Sequence, residues 1–239
     1  MSGPGSYGPK LPYKLVAGVV PCRGGWLVAS AKLQGITIAP EEPRVLDSFV
    51  SVLDEKPAFL VVALFAPIGF LDSAIPGGRG CDRQARALLG ARRGAAVRSA
   101  PSWPTFEAHP VGGAAGLDAV TAILLPRYRE VAAEMAPYRQ RVVREAHPEL
   151  SFYQLNGDKP LRYPKRFAAG RQERRELLAV RIPSVERIID ARVPGATAAQ
   201  LLDAAACLWT ARRAVARAGD RLPEDPEWDS QGLRMELIR

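Results

Sequence analysis

The sequence predicts an α/β fold with a mixed sheet of three antiparallel strands followed by parallel strands, flanked by helices. Three observations carry this. Two apolar runs, KLVAGVV and WLVASAKL, lie on either side of Pro21-Cys22-Arg23-Gly24-Gly25, a segment with hairpin turn chemistry. The stretch from Phe59 to Phe65 is continuously apolar, as expected of a parallel strand buried on both faces. Apolar positions then recur with helical spacing across much of the second half of the chain.

In chain order, residues 1–12 are rich in Gly, Pro and Ser, lack apolar periodicity, and read as a flexible arm. The remainder, 13–239, shows no internal repeat and no dividing linker, and reads as one domain with helical insertions. Tyr13 to Leu33 forms the hairpin, and Ile36 to Ala39 a third strand after the Gln34-Gly35 turn. Val45, Leu46, Phe49, Val50 and Leu53 share one helical face, so Val45 to Asp54 is expected to be a helix. After Pro67-Ile68-Gly69, a short helix spans Asp82 to Leu89 and ends at Gly90. A Pro-rich connection from Arg92 to Gly116 leads to a helical pattern from Leu117 to Met135, with a kink or break expected at Pro126. Arg141 to Glu145 reads as a strand ending at His147-Pro148-Glu149. Helices follow at Ala168 to Val180, Val185 to Ile189 and Thr197 to Ala218, and Leu233 to Ile238 is expected as an edge strand.

Composition narrows the function classes. The chain has 239 residues, 47% hydrophobic and 24% charged, which suits a globular core and excludes a fibrous or wholly disordered protein. No apolar run reaches the roughly 18 to 20 residues that span a bilayer, and MSGPGSYGPK has no signal-peptide character. No membrane association and a cytoplasmic location are therefore expected. Cys22, Cys81 and Cys207 are far apart and odd in number, so neither a zinc site nor a disulfide framework follows. A formal charge of +8 favours anionic partners, nucleic acid or an anionic small molecule, although an arginine-rich composition is basic for other reasons too. Trp26, Trp103, Trp209 and Trp228 are scattered, which suits core packing better than a platform for stacked bases.

Several separated motifs carry a family resemblance. Ala17-Gly18-Val19-Val20-Pro21-Cys22-Arg23-Gly24-Gly25-Trp26 resembles the opening signature Gly-Val-Asp-Gly-Cys-Arg-Gly-Gly-Trp of domain-of-unknown-function family 429, a family of predicted RNase H-like nucleases. Ala66-Pro67-Ile68-Gly69-Phe70 resembles its Asp-x-Pro-Ile-Gly-Leu motif, and Cys81-Asp82-Arg83-Gln84-Ala85-Arg86 its Cys-Asp-Arg-x-Ala-Arg motif. His147-Pro148-Glu149-Leu150-Ser151-Phe152, Gly170-Arg171-Gln172-Glu173-Arg174, Leu202-Asp203-Ala204-Ala205 and Trp209-Thr210-Ala211 follow in the family's order. The resemblance implies an RNase H-like fold.

It also implies a site at which this chain departs from the pattern. RNase H-like nucleases gather carboxylates from the first strand, the central parallel strand and a late helix around Mg²⁺ or Mn²⁺, hard cations that prepare the attacking water and stabilise the leaving oxygen. Here Val20 stands at the first-strand aspartate position and Phe65 at the aspartate position before x-Pro-Ile-Gly. Ala199-Gln200 replaces the acidic pair that often precedes Leu-Leu-Asp-Ala, leaving Asp203 as the local carboxylate. Neither Val20 nor Phe65 can bind metal, so no metal cofactor is expected.

The carboxylates near matching motifs are Asp82, Glu145, Glu149 and Asp203. Glu149, Asp203 and His147 are the candidates for catalysis, His147 as a base near neutral pH. Each has a plainer reading: Glu149 as a strand-end carboxylate satisfied by arginines, Asp203 in a buried ion pair, and His147, like His109, as a structural histidine. Asp82 reads more readily as a helix N-terminal residue than as a catalyst. Arg23, Arg83, Arg86, Arg171 and Arg174 lie on retained motifs and are the candidate anion-binding residues, since guanidinium groups suit bidentate contact with phosphate, sulfate or carboxylate. Their plainer reading is a solvated helix face or intrahelical pairing with Glu173 and Glu176.

The expectation is a degenerate RNase H-like protein that has lost metal-dependent cleavage and works as a binding or partner subunit of a larger, heteromeric assembly. Two alternatives stand beside it. One is a nuclease using a rearranged acidic set of Glu149, Asp203, Glu145 or Asp82 with Mg²⁺ or Mn²⁺; the other is an enzyme acting on a phosphorylated or sulfated small molecule.

Overall fold

A computed structural model describes residues 12–108 and 117–239; His109 and residues 1–11 of the expected arm lie outside them. The chain opens with β1 (Lys14–Cys22) and β2 (Gly25–Gln34), paired antiparallel from Lys14↔Leu33 to Cys22↔Gly25. The third strand is split into β3 (Thr37–Pro40) and β4 (Arg44–Leu46), both antiparallel to the same side of β2. Helix α1 (Phe49–Leu53) leads to β5 (Val61–Leu64), which runs parallel to β1. The long connection carries α2 (Gly80–Arg93), α3 (Trp103–Ala108) and α4 (Ala119–Glu134) before β6 (Val143–Glu145), parallel to β5. Four helices follow: α5 (Pro148–Leu155), α6 (Ala168–Arg181), α7 (Glu186–Ile189) and α8 (Ala198–Val215). The hairpin of β7 (Arg221–Trp228) and β8 (Arg234–Ile238) closes the chain.

The strand order β3-β2-β1-β5-β6, with three antiparallel strands followed by parallel ones, is the mixed sheet expected of an RNase H-like fold. Alternation along β1 explains the two layers on its faces. Val16, Val20 and Cys22 point into a core shared with Leu201, Ala205 and Leu208 of α8, whereas Leu15, Ala17 and Val19 point into a core containing Phe49, Leu125 and Val131 from α1 and α4. Helix α8 is buried at every position from Leu201 to Ala211, as its apolar circumference requires. It lies almost directly on β1: a methyl group at Gly18 would meet the Ala204 carbonyl oxygen at 2.1 Å and the Leu208 nitrogen at 2.2 Å. Thr197 and Gln200 cap its N-terminus reciprocally, and Gln200 Nε2 also donates to the Pro21 carbonyl at 3.0 Å, tying the helix to the end of β1.

Several expected elements differ. Val45 and Leu46 belong to β4, because pairing with Leu27 and Trp26 outweighs their helical spacing; the helix starts only after Ser48, whose hydroxyl caps it. Helix α4 runs through Pro126 without a break, with Leu125, Tyr128 and Val131 buried along it. Gly90, expected to end α2, takes φ 64° and ψ 179°, after which helical turns resume to Arg93. Helix α3 lies inside the supposed Pro-rich connection, and α5 begins where a strand end was expected. The strand expected at Leu233 to Ile238 forms as β8, in a two-stranded sheet with β7 that one parallel bridge between Ala146 and Ile238 links to the main sheet. Among the described residues no helix is long and apolar enough to cross a membrane.

Candidate functional site

A cavity of about 290 Å³ opens beyond the C-terminal ends of β5 and β6, where ligands collect in open α/β sheets. Phe65, Pro67, Leu124 and Tyr128 give it apolar walls, while Arg79, Asp82, Arg98, Glu145, His147, Glu149 and Lys165 also line it. Four of the named candidates, His147, Glu149, Asp82 and Glu145, thus reach one cavity, and Asp203 is tied to it through Lys165.

Each carboxylate here is held by a cation of the chain itself. Glu145, at the end of β6, receives Arg79 Nη1 at 2.8 Å and Nη2 at 2.6 Å, and the Ile68 backbone N–H at 2.6 Å. Asp82 receives Arg79 Nη2 at 2.8 Å and Nε at 3.2 Å, and the Ala100 N–H at 3.2 Å. Arg79, 2% exposed, also donates to the carbonyls of Ile68 at 3.1 Å and Gly69 at 3.2 Å, so its guanidinium cross-links the loop after β5, the start of α2 and the end of β6. Burial pushes Glu145 above the ordinary carboxylate range despite Arg79. For Asp82, burial acts in the same direction, but the Arg79 charge and hydrogen bonds outweigh it and hold the pKa low.

On the α5–α8 side, fully buried Arg174 pairs with Glu149 through Nη2, and Lys165 pairs with Asp203. Burial raises Asp203 above its usual range, with Lys165 opposing. His147 caps α5: its Nδ1 accepts the Glu149 N–H at 3.2 Å, and its ring meets Phe65 edge to face at 4.8 Å. Burial drives its pKa down to about 4, so the imidazole is neutral at pH 7.

The five candidate anion-binding arginines do not converge on this cavity. Arg23 is exposed at the β1–β2 turn. Arg83 binds the Gly78 carbonyl and approaches Glu227 at 3.4 Å, and Arg86 binds the carbonyls of Gly77 and Val97. Arg171 donates to the Arg166 carbonyl at 2.9 Å; Arg174 donates to those of Tyr163 at 3.0 Å and Gly170 at 2.8 Å. Most of this binding capacity is turned on the protein's own backbone. The cations that do line the cavity, Arg79, Arg98 and Lys165, were not picked out from the sequence. Arg79 had a usable signal, standing three residues before Asp82 at a helix start; Lys165 and Arg98 lie in irregular segments with none.

A metal pair does not fit this donor set. Val20 is buried in the core facing α8, Phe65 fills the end of β5, and no group of three His, Cys, Asp or Glu side chains among the described residues is arranged to hold a metal ion.

Compared with known proteins, the chain matches no curated protein and no solved structure. The family described as Protein of unknown function (DUF429) matches residues 18–228, which take in β1 from Gly18 onward, all of the cavity lining but Leu237, and α8. This chain therefore belongs to the DUF429 family.

Proposed function

We propose that this protein is a degenerate RNase H-like protein, without metal-dependent nuclease activity, whose cavity serves binding within a larger, heteromeric assembly. The observation that carries this reading is the pairing of all four local carboxylates with internal cations: Asp82 and Glu145 with Arg79, Glu149 with Arg174, Asp203 with Lys165. A catalytic metal needs carboxylate oxygens left free for it, and freeing these means stripping buried charges of their partners, which costs several kcal/mol each. The apolar walls of Phe65, Leu124 and Tyr128 suit an organic group, and an ammonium has three donors, of which one of Lys165's is on Asp203.

The test is cleavage. Purified protein incubated with single- and double-stranded RNA and DNA in Mg²⁺ or Mn²⁺ is expected to give no more product than the Glu149→Ala/Asp203→Ala variant. Metal-dependent cleavage by the unaltered chain that this variant loses would overturn the reading and favour the rearranged acidic site.

A further inference from the structure

Lys165 lies on the segment 156–167 between α5 and α6, which has no regular secondary structure but is fixed along its length. Arg93 donates to the carbonyls of Leu161 at 2.9 Å and Arg162 at 3.0 Å. Glu173 accepts the backbone N–H groups of Arg162 at 2.8 Å and Tyr163 at 3.0 Å. Arg174 takes the Tyr163 carbonyl, Arg171 the carbonyls of Lys165 and Arg166. Gly170 lets the segment pass so close that a methyl group there would stand 2.1 Å from the Pro164 carbonyl oxygen. The motif Gly170-Arg171-Gln172-Glu173-Arg174 thus acts as a clamp that sets where the Lys165 side chain leaves the backbone.

That side chain is the most exposed partner in the pairs around Glu149 and Asp203, at 38%, and its ammonium sits on Oδ2 of Asp203, whose side chain is only 4% exposed. Oδ1 of the same carboxylate is buried with no hydrogen-bond partner among the described residues. Glu149 lines the same cavity as Lys165. Two negative charges, Glu149 and Asp203, are balanced by two positive ones, Arg174 and Lys165. Without the ammonium, a buried carboxylate would be left with one orphan oxygen and a second newly freed, which is a vacancy for a cation.

We propose that Lys165 is the built-in cation of this site: clamped onto Asp203, its ammonium occupies the place of a divalent metal and excludes one from the cavity. The inference rests on the non-hydrolytic reading above but concerns cation binding, not cleavage. Wild type that binds Mn²⁺ yet cuts nothing would sink this inference and leave that reading standing.

The test uses the full-length chain, the electron paramagnetic resonance signal of free Mn²⁺, and thermal melting. Wild type is expected to leave the Mn²⁺ signal unchanged. Lys165→Met is expected to bind Mn²⁺ at least about tenfold more tightly and to melt at higher temperature when Mn²⁺ is added, and Lys165→Met/Asp203→Asn to lose both effects. Equal Mn²⁺ binding by wild type and Lys165→Met overturns the proposal, as does a double variant that still binds. Should Lys165→Met unfold without metal, a melting transition restored by Mn²⁺ supports the proposal. Failure of Mn²⁺ to restore it, while the double variant melts cooperatively, counts against it.

Discussion

His147 shows how burial and local hydrogen bonding set the protonation state of a histidine. Its Nδ1 is committed to the Glu149 N–H and its ring to Phe65. Burial lowers its pKa from 6.5 to about 4. The unfolded chain therefore takes up the proton first as pH falls, so the neutral ring's contribution is complete above pH 6.5 and declines toward pH 4, by on the order of 3 kcal/mol in all. Glu145 and Asp203, whose pKa values are raised, act in the opposite sense over the acid range, so the comparison has to be with a variant. In His147→Asn, which keeps a capping side chain, the loss of urea stability between pH 6.5 and pH 4.5 should be clearly shallower than in wild type. An unchanged slope would show that other groups govern the acid limb. At this scale the motifs lead to residues that the fold gathers at the cavity, His147 and Glu149, with Asp203 behind Lys165. The sequence was opaque for partners, because Lys165 reaches Asp203 across 38 positions and Arg79 reaches Glu145 across 66, and no local pattern encodes such pairs.

Elements were read best where one period ruled them. The β1–β2 hairpin, the parallel β5 and the helix α8 were all foreseen, since burial on both faces of a strand or around a helix leaves a continuous apolar signature. Some short elements leave little signal: β4 and α3 span less than two periods, α5 opens on a proline and β7 holds two, so β4 reads as helix and α3, α5 and β7 go unread. Gly18 offers the sharpest test of how elements meet. A methyl group there would press against backbone atoms of α8, which cannot rotate away as a side chain would. Gly18→Ala should therefore destabilise the protein by about 3 kcal/mol, at the upper end of ordinary overpacking, read as a lower urea midpoint with little change in slope. A midpoint within experimental error of wild type would mean that α8 sits farther from β1 in solution.

For the molecule as a whole, the strand order and the layers on either face of the sheet followed from the order of elements, whereas the closure of the chain did not. The β7–β8 hairpin reaches back to the end of β6 through the Ala146–Ile238 bridge and places Met235 and Leu237 in a core with Cys81, Leu89 and Leu150. It also brings buried Glu236 to Arg144 at 2.9 Å. A chain ending at Ala218 would expose that core and leave Arg144 without Glu236, and in circular dichroism it should lack the cooperative thermal transition expected of the full chain. A sharp transition at an unaltered temperature would show the hairpin to be dispensable.

The split in the third strand has its own consequence for how copies of this chain meet one another. Pro40 and Pro43 bracket Glu41 and Glu42 along that margin of the main sheet, and β7, at the margin of the two-stranded sheet, carries Pro223 and Pro226 among acidic residues. A proline has no N–H to offer an incoming strand, and like charges repel a second copy laid alongside. Both margins thus discourage strand-by-strand self-association, leaving a sheet rich in valine and leucine able to stay dispersed when crowded.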